Sequence, residues 1–295
     1  MPELPEVETV RRGLQELLPQ RQIADVWFDW PKGFPNAPAD VRAFMQGAAV
    51  RAVRRRAKVL IIDLSTEYSL VIHLKMTGQL VFRSASEHFG AGHPNDSLIG
   101  VLPDTSTRVV LTFTDGSKLF FNDQRKFGWM RLLPTVEVEQ LDFFQKVGPE
   151  PLSASFTADD FIARLLRRKK SGIKAVLLDQ TVVAGIGNIY ADESLWGAKI
   201  HPETAVQDVP EAQLRELYTS LRTVLQLSID KGGSTDRNYV NHEGKRGSYL
   251  TFANVFRREG QACPRCGTEI IKTRVAGRGT HTCPVCQPKP PVTKP

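Results

Sequence analysis

The sequence predicts a multidomain α+β protein: a β-sandwich led by one helix, then a helical domain, then a four-cysteine β-hairpin. Two observations carry this prediction. Apolar residues recur with a period near two up to Pro134 and with a period of about 3.6 beyond Pro151, which is the change from strands to helices. All four cysteines fall in two Cys-x-x-Cys pairs between residues 263 and 286, a spacing typical of a metal-bound hairpin.

Composition narrows the class of protein. At 295 residues the chain is long enough for two domains, and 41% hydrophobic residues suffice for packed cores. A formal net charge of +7 favours a polyanionic partner, nucleic acid first. The N-terminus is charged where a secretory signal would be apolar, and no apolar run approaches membrane-spanning length. We therefore predict a cytoplasmic protein with no membrane partner.

The first eight residues carry the sharpest chemical signal. Removal of the initiator Met would leave Pro2 with a free secondary amine. A terminal amine titrates near about 8, against about 10.4 for lysine, so more of it is unprotonated at neutral pH and able to form an iminium adduct. Glu3 is a candidate proton donor or acceptor beside it. Pro5 and Glu6 suit a first helical turn, so an ordinary capped helix would explain these residues alone, and only the remaining chain favours the nucleophile.

The first domain, residues 1–134, is predicted to contain about eight short strands after its helix. We expect strands within 23–30, 50–64, 68–82, 109–113 and 118–121. An Asp-Gly pair at 115–116 predicts a tight turn between the last two. Residues 31–38 and 84–107 are predicted to be loops rich in Pro and Gly.

Loops of this domain present cationic and apolar side chains together. Met76 lies in one loop, and Arg125 and Phe127 lie in another between residues 122 and 128. These residue types can wedge into a duplex and fill the gap left by an extruded nucleotide. The competing interpretation is that Phe127 belongs to the core.

Beyond a linker at 135–151, the segment 152–235 is predicted to be helical. A glycine turn at 185–187 precedes a helix that begins at Asn188, where backbone N–H groups can bind a phosphate. Lys170 ends a run of four basic residues that would extend a phosphate track. Taken alone, a helix-turn-helix corner and a solvated basic surface explain the same residues.

The third domain, residues 236–287, contains the cysteine pairs Cys263/Cys266 and Cys283/Cys286. Their spacer, 267–282, lies in the range for one tetrahedral Zn²⁺, and four thiolates leave it no open position. The zinc is therefore predicted to be structural. Arg278 lies on the intervening turn, where it could reach a phosphate. The Pro-rich tail at 288–295 is predicted to be disordered.

Together these motifs resemble one family, the formamidopyrimidine-DNA glycosylases. The resemblance rests on five stretches in family order, covering residues 2 to about 287: 2–8, the Lys58 strand, 123–128, 185–190 and the cysteine hairpin with 276–280. It implies a monomeric glycosylase/AP lyase of base excision repair acting on double-stranded DNA with oxidised purines, such as 8-oxoguanine, or abasic sites. It also implies that the second domain is a helix-two-turns-helix module and that the third includes a lesion loop.

The resemblance also implies roles for individual residues. Pro2 would attack C1′ and Glu3 would donate the proton that assists glycosidic opening, while Lys58 would assist β-elimination and Arg278 δ-elimination. DNA contacts would come from the void-filling Met76, Arg125 and Phe127 and from the phosphate or lesion-pocket residues Lys170, Lys174 and Asn188. Arg108 stands where family members often have a histidine, and it is a further candidate DNA contact.

Three alternatives compete with this reading of the residues. An endonuclease VIII-like enzyme would use the same nucleophile on oxidised pyrimidines, although the 4–7 segment and the void-filling residues resemble the purine branch. A non-catalytic zinc-ribbon DNA-binding protein would leave Pro2 and Glu3 unexplained. A tautomerase with an N-terminal proline has no use for zinc or DNA.

Overall fold

The computed structural model describes residues 2–93, 96–234 and 249–290. The chain forms two compact units, Met1–Lys146 with Lys231–Ser248, and Val147–Asp230 with Tyr249–Pro295. The predicted helical segment and the cysteine hairpin thus fall in one unit. Most of the predicted lesion loop (235–248) and the end of the predicted disordered tail (291–295) lie outside the described residues.

The first unit begins with helix α1 (Leu4–Leu17). Glu3 and Glu6 form a reciprocal capping box that satisfies backbone N–H groups at the helix start, and a proline occupies its first turn. One face of α1 is apolar at helical spacing, and Val7, Val10 and Leu14 from this face are buried in the core. The predicted leading helix is present, with a fixed N-terminus.

Two antiparallel sheets follow α1. The strands of the first unit are β1 (Ile23–Phe28), β2 (Val50–Arg56), β3 (Val59–Leu64), β4 (Tyr68–His73), β5 (Gly78–Arg83), β6 (His88–Gly92), β7 (Thr107–Phe113), β8 (Lys118–Asp123) and β9 (Trp129–Pro134). One sheet has the order β1-β7-β8-β5-β6 and the other β2-β3-β4-β9. Side chains from both sheets, among them Ile62, Ile72, Phe82 and Phe121, share one apolar core. The predicted β-sandwich is confirmed.

The first unit contains two elements that the sequence did not predict. Helix α2 (Pro38–Met45) begins where the predicted loop at 31–38 ends, and β6 lies inside the predicted loop at 84–107, paired with β5. The Gly- and Ala-containing sequence of β6 has low strand propensity. Tertiary packing stabilises it instead, because a Cβ at Gly13 of α1 would lie 2.2 Å from the ring of Phe89. Only a glycine in α1 permits this approach.

The second unit is helical and ends in a hairpin. Its helices are α4 (Ala158–Leu166), α5 (Ile173–Leu178), α6 (Asn188–Gly197) and α7 (Glu211–Asp230), while the short α3 (Asp142–Lys146) closes the first unit. Strands β10 (Ile271–Val275) and β11 (Arg278–Thr282) pair antiparallel. Ala276 and Gly277 both have positive φ, as a two-residue type I′ turn requires. None of the helices described is both long and apolar enough to cross a membrane.

Candidate active site and metal centre

The N-terminal pair is buried and held by a neighbouring carboxylate. Pro2 is buried, and Glu3 is 4% exposed. Oε2 of Glu6 accepts a hydrogen bond from the backbone N–H of Glu3 at 2.8 Å, and its Oε1 accepts one from the N–H of Ser234 at 2.8 Å. The Glu6 carboxylate therefore fixes the backbone of Glu3 and links it to Ser234.

Lys58 follows Ala57, a residue with positive φ, in the tight turn between β2 and β3, and is 5% exposed. Its strand neighbour Val59 pairs with His73 of β4. Burial, followed by the positive charges of Lys75 and Lys58, lowers the pKa of His73 to about 3. The imidazole is consequently neutral at physiological pH, and its Nδ1 accepts a hydrogen bond from the N–H of Lys75 at 3.0 Å. Sequence reasoning missed His73, although it ends the strand that leads to Met76.

Asp123 organises the predicted wedge loop from its centre. Its carboxylate is fully buried, and Oδ2 accepts the backbone N–H of Gly128 at 2.7 Å. Oδ1 accepts the N–H of Arg125 at 3.2 Å and the hydroxyl of Thr77, which lies in the other loop. One carboxylate therefore joins the loop at 124–128 to the turn that carries Met76.

The three predicted wedge residues lie on these two joined loops. Met76 is 36% exposed and Phe127 is 51% exposed, which excludes the interpretation of Phe127 as a core residue. The guanidinium of Arg125 lies over the ring of Phe127, 4.7 Å from its centroid, and this cation–π contact holds the ring in place. The loops present apolar surface to solvent instead of burying it.

Arg108 is 7% exposed, and its donors are directed inward. Nε donates to the carbonyl oxygen of Asp123 at 3.0 Å and Nη2 to that of Thr105 at 2.8 Å. The structure therefore places Arg108 beneath the wedge loop as a backbone support. A direct contact of Arg108 with DNA stays a prediction.

Lys174 of α5 lies in a buried polar cluster of the second unit. Its Nζ donates to Oδ1 of Asp192 and to Oγ1 of Thr280, both at 2.6 Å, and the lysine and aspartate side chains are fully buried. Oδ2 of Asp192 accepts the backbone N–H of His281 at 2.9 Å. The ammonium group thus faces protein and joins α5 and α6 to β11.

Asn188 reaches the same strand from the N-terminus of α6. Its Nδ2 donates to the carbonyl oxygen of Gly279 at 2.8 Å, one residue from Arg278. Arg278 is exposed at the hairpin turn, and Lys170 is exposed after α4. The structure brings Asn188, Lys174 and the backbone beside Arg278 together, and Lys170 is not part of this cluster.

The four cysteines fit a single zinc ion. Their Sγ atoms all lie within 4.8 Å of one another, with Cys263 and Cys286 at 4.0 Å and Cys266 and Cys283 at 3.4 Å. Zn–S bonds of about 2.3 Å in a tetrahedron place sulfurs about 3.8 Å apart. Hydrogen bonds from Thr268 lower the pKa of the Cys266 thiol to about 6, whereas burial raises that of Cys286 to about 12. Zinc binding would have to displace the remaining thiol protons.

Three family models match consecutive segments of the chain. They are the formamidopyrimidine-DNA glycosylase N-terminal domain at 1–130, the formamidopyrimidine-DNA glycosylase H2TH domain at 147–239, and a zinc finger found in FPG and IleRS at 260–289. The formamidopyrimidine-DNA glycosylase of Herpetosiphon aurantiacus is 43% identical over 292 residues, covering 97% of this chain and 100% of the relative. The chain belongs to the formamidopyrimidine-DNA glycosylase family.

Solved structures of this family have the same fold. The complex of a Lactococcus lactis FPG mutant with Fapy-dG-containing DNA superposes with a TM-score of 0.86 at 35% identity, covering 98% of this chain and 100% of that one. The complex of Lactococcus lactis Fpg with abasic-site DNA also gives 0.86 at 35% identity, covering 97% and 100%. The fold class with its H2TH module and zinc finger is confirmed.

Family membership also settles the metal. The model of the zinc finger found in FPG and IleRS matches the segment that contains all four cysteines, and the sulfur geometry suits one structural zinc. Four protein ligands leave that ion no open position for a substrate or a water. The cysteine pairs precede β10 and follow β11, so the bound metal would join the two open ends of the hairpin that carries Arg278.

Proposed function

We propose that this chain is a bifunctional DNA glycosylase/AP lyase of base excision repair that removes oxidised purines from double-stranded DNA as a monomer. The observation that carries the proposal is the placement of Pro2 and Glu3, buried at the capped start of α1. Relatives similar over 97% of the chain are named formamidopyrimidine-DNA glycosylases. Solved structures similar to it hold DNA with Fapy-dG or an abasic site.

In the proposed reaction the Pro2 amine, freed by removal of Met1, attacks C1′ of the damaged nucleotide. The C1′–N bond to the lesion breaks as the bond from the Pro2 nitrogen to C1′ forms, and the released base takes up the proton that the amine loses. Glu3 supplies the proton that O4′ accepts as the C1′–O4′ bond opens, which leaves an iminium between C1′ and Pro2. The iminium withdraws electrons from C2′, so loss of a C2′ proton expels the 3′-phosphate in the first elimination. Loss of the C4′ proton then expels the 5′-phosphate in the second.

Lys58 and Arg278 are proposed to assist these two eliminations, Lys58 the first and Arg278 the second. Lys58 lies in a tight turn beside the neutral His73. Arg278 lies on a type I′ turn with its side chain exposed. Rigid turns suit both roles because a charged group contributes most when it is positioned before the reaction begins.

We propose that Met76, Arg125 and Phe127 fill the space left by the extruded nucleotide. Lys170, Arg278 and Asn188 would contact phosphates from exposed turns or a helix start. Lys174 and Arg108 would contribute through the backbones they hold, since their donors are directed to protein atoms. We propose that the protein acts in the cytoplasm, at the nucleoid, because its proposed substrate is DNA.

Borohydride trapping on matched duplexes tests the proposal. A duplex with 8-oxoguanine should give a covalent adduct that mass spectrometry assigns to the Pro2 amine, and a duplex with an oxidised pyrimidine should give much less. Preferential trapping on the pyrimidine duplex would favour the endonuclease VIII-like alternative. An adduct on Lys58, or none on any duplex, would overturn the proposed chemistry.

A further inference from the structure

The first cysteine pair packs against the C-terminal end of helix α6. The indole Nε1–H of Trp196 donates to Sγ of Cys263 at 3.4 Å. Trp196 is half-buried and packs against a small apolar cluster formed by Val255, Cys263, Ile270 and Cys283. A metal ligand and a helix residue 67 positions apart in the sequence are therefore in direct polar contact.

Arg265 lies between the two ligands of that pair and holds the same tryptophan. Its guanidinium lies over the indole, 3.9 Å from the ring centroid. Nη1 donates to the carbonyl oxygen of Trp196 at 3.0 Å and Nη2 to that of Gly197 at 3.3 Å. These carbonyls lie at the end of α6, where the Trp196 carbonyl also accepts the backbone N–H of Lys199 at 3.1 Å. Arg265 therefore adds side-chain donors to the helix end while stacking on the last aromatic residue of the helix. A planar guanidinium can do both, and a lysine ammonium cannot.

The indole N–H suits a thiolate more than a thiol. It can only donate, and a hydrogen bond to an ionised acceptor is stronger than one to a neutral acceptor. Packing alone does not require the N–H, because a phenylalanine ring could also contact this apolar cluster and face Arg265. The nitrogen is the part of Trp196 that acts on the metal ligand.

We propose that Trp196 is a positioning residue of the zinc site: its N–H holds the Cys263 sulfur in place for the metal, and Arg265 holds the indole. Groups that hydrogen-bond to metal ligands orient them and change metal affinity by roughly 10–100-fold. Retention of zinc would then depend on an intact end of α6, whose start contacts Gly279 of the same hairpin through Asn188. This proposal stands independently of the glycosylase chemistry.

The test compares Trp196→Phe with the parent protein in the zinc-loaded full chain. Competition with a chromogenic chelator should show zinc bound about tenfold more weakly. In cobalt-substituted protein the sulfur-to-cobalt charge-transfer bands should move to lower energy, because a sulfur without the hydrogen bond gives up its electrons more readily. Trp27→Phe, on β1 of the other unit, should change neither measurement. Unchanged zinc affinity and an unchanged cobalt spectrum in Trp196→Phe would overturn the proposal.

A measurement on the unmodified sequence covers the case in which Trp196→Phe does not fold. With ¹¹³Cd in the cysteine site, the Trp196 indole proton should show a scalar coupling to the metal through the N–H···S bond. Absence of that coupling in a folded, cadmium-loaded protein would refute the contact. Arg265→Lys should weaken zinc binding as well, since the ring loses its guanidinium; equal affinity would remove Arg265 from the proposal.

Discussion

The carboxylate of Asp123 accepts the backbone N–H of Gly128 at 2.7 Å and so closes the loop that carries Arg125 and Phe127. The same carboxylate receives the hydroxyl of Thr77 from the neighbouring turn. A Cβ at residue 128 would lie 2.9 Å from the ring of Phe121, so this position has no room for a larger side chain unless the ring shifts. These contacts restrict the backbone of the two loops that carry the exposed residues Met76, Arg125 and Phe127.

Replacement of Asp123 by Asn should weaken the hydrogen bonds that join these two loops. The amide nitrogen cannot accept a hydrogen bond, so at least one of the buried donors loses its partner, at a cost of about 1–3 kcal/mol. Thermal unfolding should show the loss, and activity on intact lesions should fall with it. Asp25→Asn, at an exposed position of β1, is the matched control. Unchanged stability would show that the loop does not depend on the carboxylate.

Phe127→Ala should weaken processing of intact lesions while sparing cleavage of preformed abasic sites. Extruding a base costs a few kcal/mol, and only intact lesions need the compensating contact. Single-turnover rates on the two substrates would measure the difference. Val136→Ala, which also truncates an exposed apolar residue of the first unit, should leave both rates intact. Equal losses on both substrates with Phe127→Ala would contradict the wedge.

Glu3→Gln should separate the two activities. Glutamine keeps the size of the side chain but cannot donate the proton that assists base release, a step in which general acid catalysis contributes about 10²–10⁴-fold. Excision of 8-oxoguanine should therefore fall by about that factor, and strand cleavage at a preformed abasic site should fall less. Equal loss in both assays would refute this division of roles.

Arg278→Ala should reduce DNA affinity without loss of zinc. The side chain is exposed, while the ends of β10 and β11 remain tied to the cysteines. Loss of one phosphate contact should lower the slope of log K against log salt by about one unit. Metal analysis and fluorescence anisotropy across a salt series would measure both. An unchanged slope would place Arg278 away from the phosphates.

His73 should make the first unit less stable in mild acid. Its pKa is about 3 when folded, against an ordinary value of 6.5, so the unfolded chain binds a proton that the folded protein excludes. The stabilisation is complete above pH 6.5 and is lost as the pH falls toward 3. Between pH 7 and pH 5 this amounts to about 2 kcal/mol. Urea unfolding of the parent and of His73→Gln at both pH values should show that the variant loses less.

Local patterns predicted the features that depend on neighbours in sequence. The first helical turn at Pro5 and Glu6, the Asp-Gly turn after β7 and the paired cysteines all have short-range causes. Strand β6 was missed because its pairing with β5 and the contact of Phe89 with Gly13 are tertiary. The burial of Lys174 was missed for the same reason, since its partners Asp192 and Thr280 come from other elements. The roles of the catalytic and DNA-contacting residues stay predictions.

The buried pair of Lys174 and Asp192 has a consequence for how this protein can change over generations. Either single replacement leaves the opposite charge unpaired in the interior, which typically costs about 3–5 kcal/mol. A double replacement by apolar residues leaves no unpaired charge and loses only the hydrogen bonds of the pair to Thr280 and to the N–H of His281, which makes it the milder change. A homologue that has replaced only Lys174 or only Asp192 should therefore be poorly stable. Across related proteins the two positions should covary, with both residues kept or both replaced.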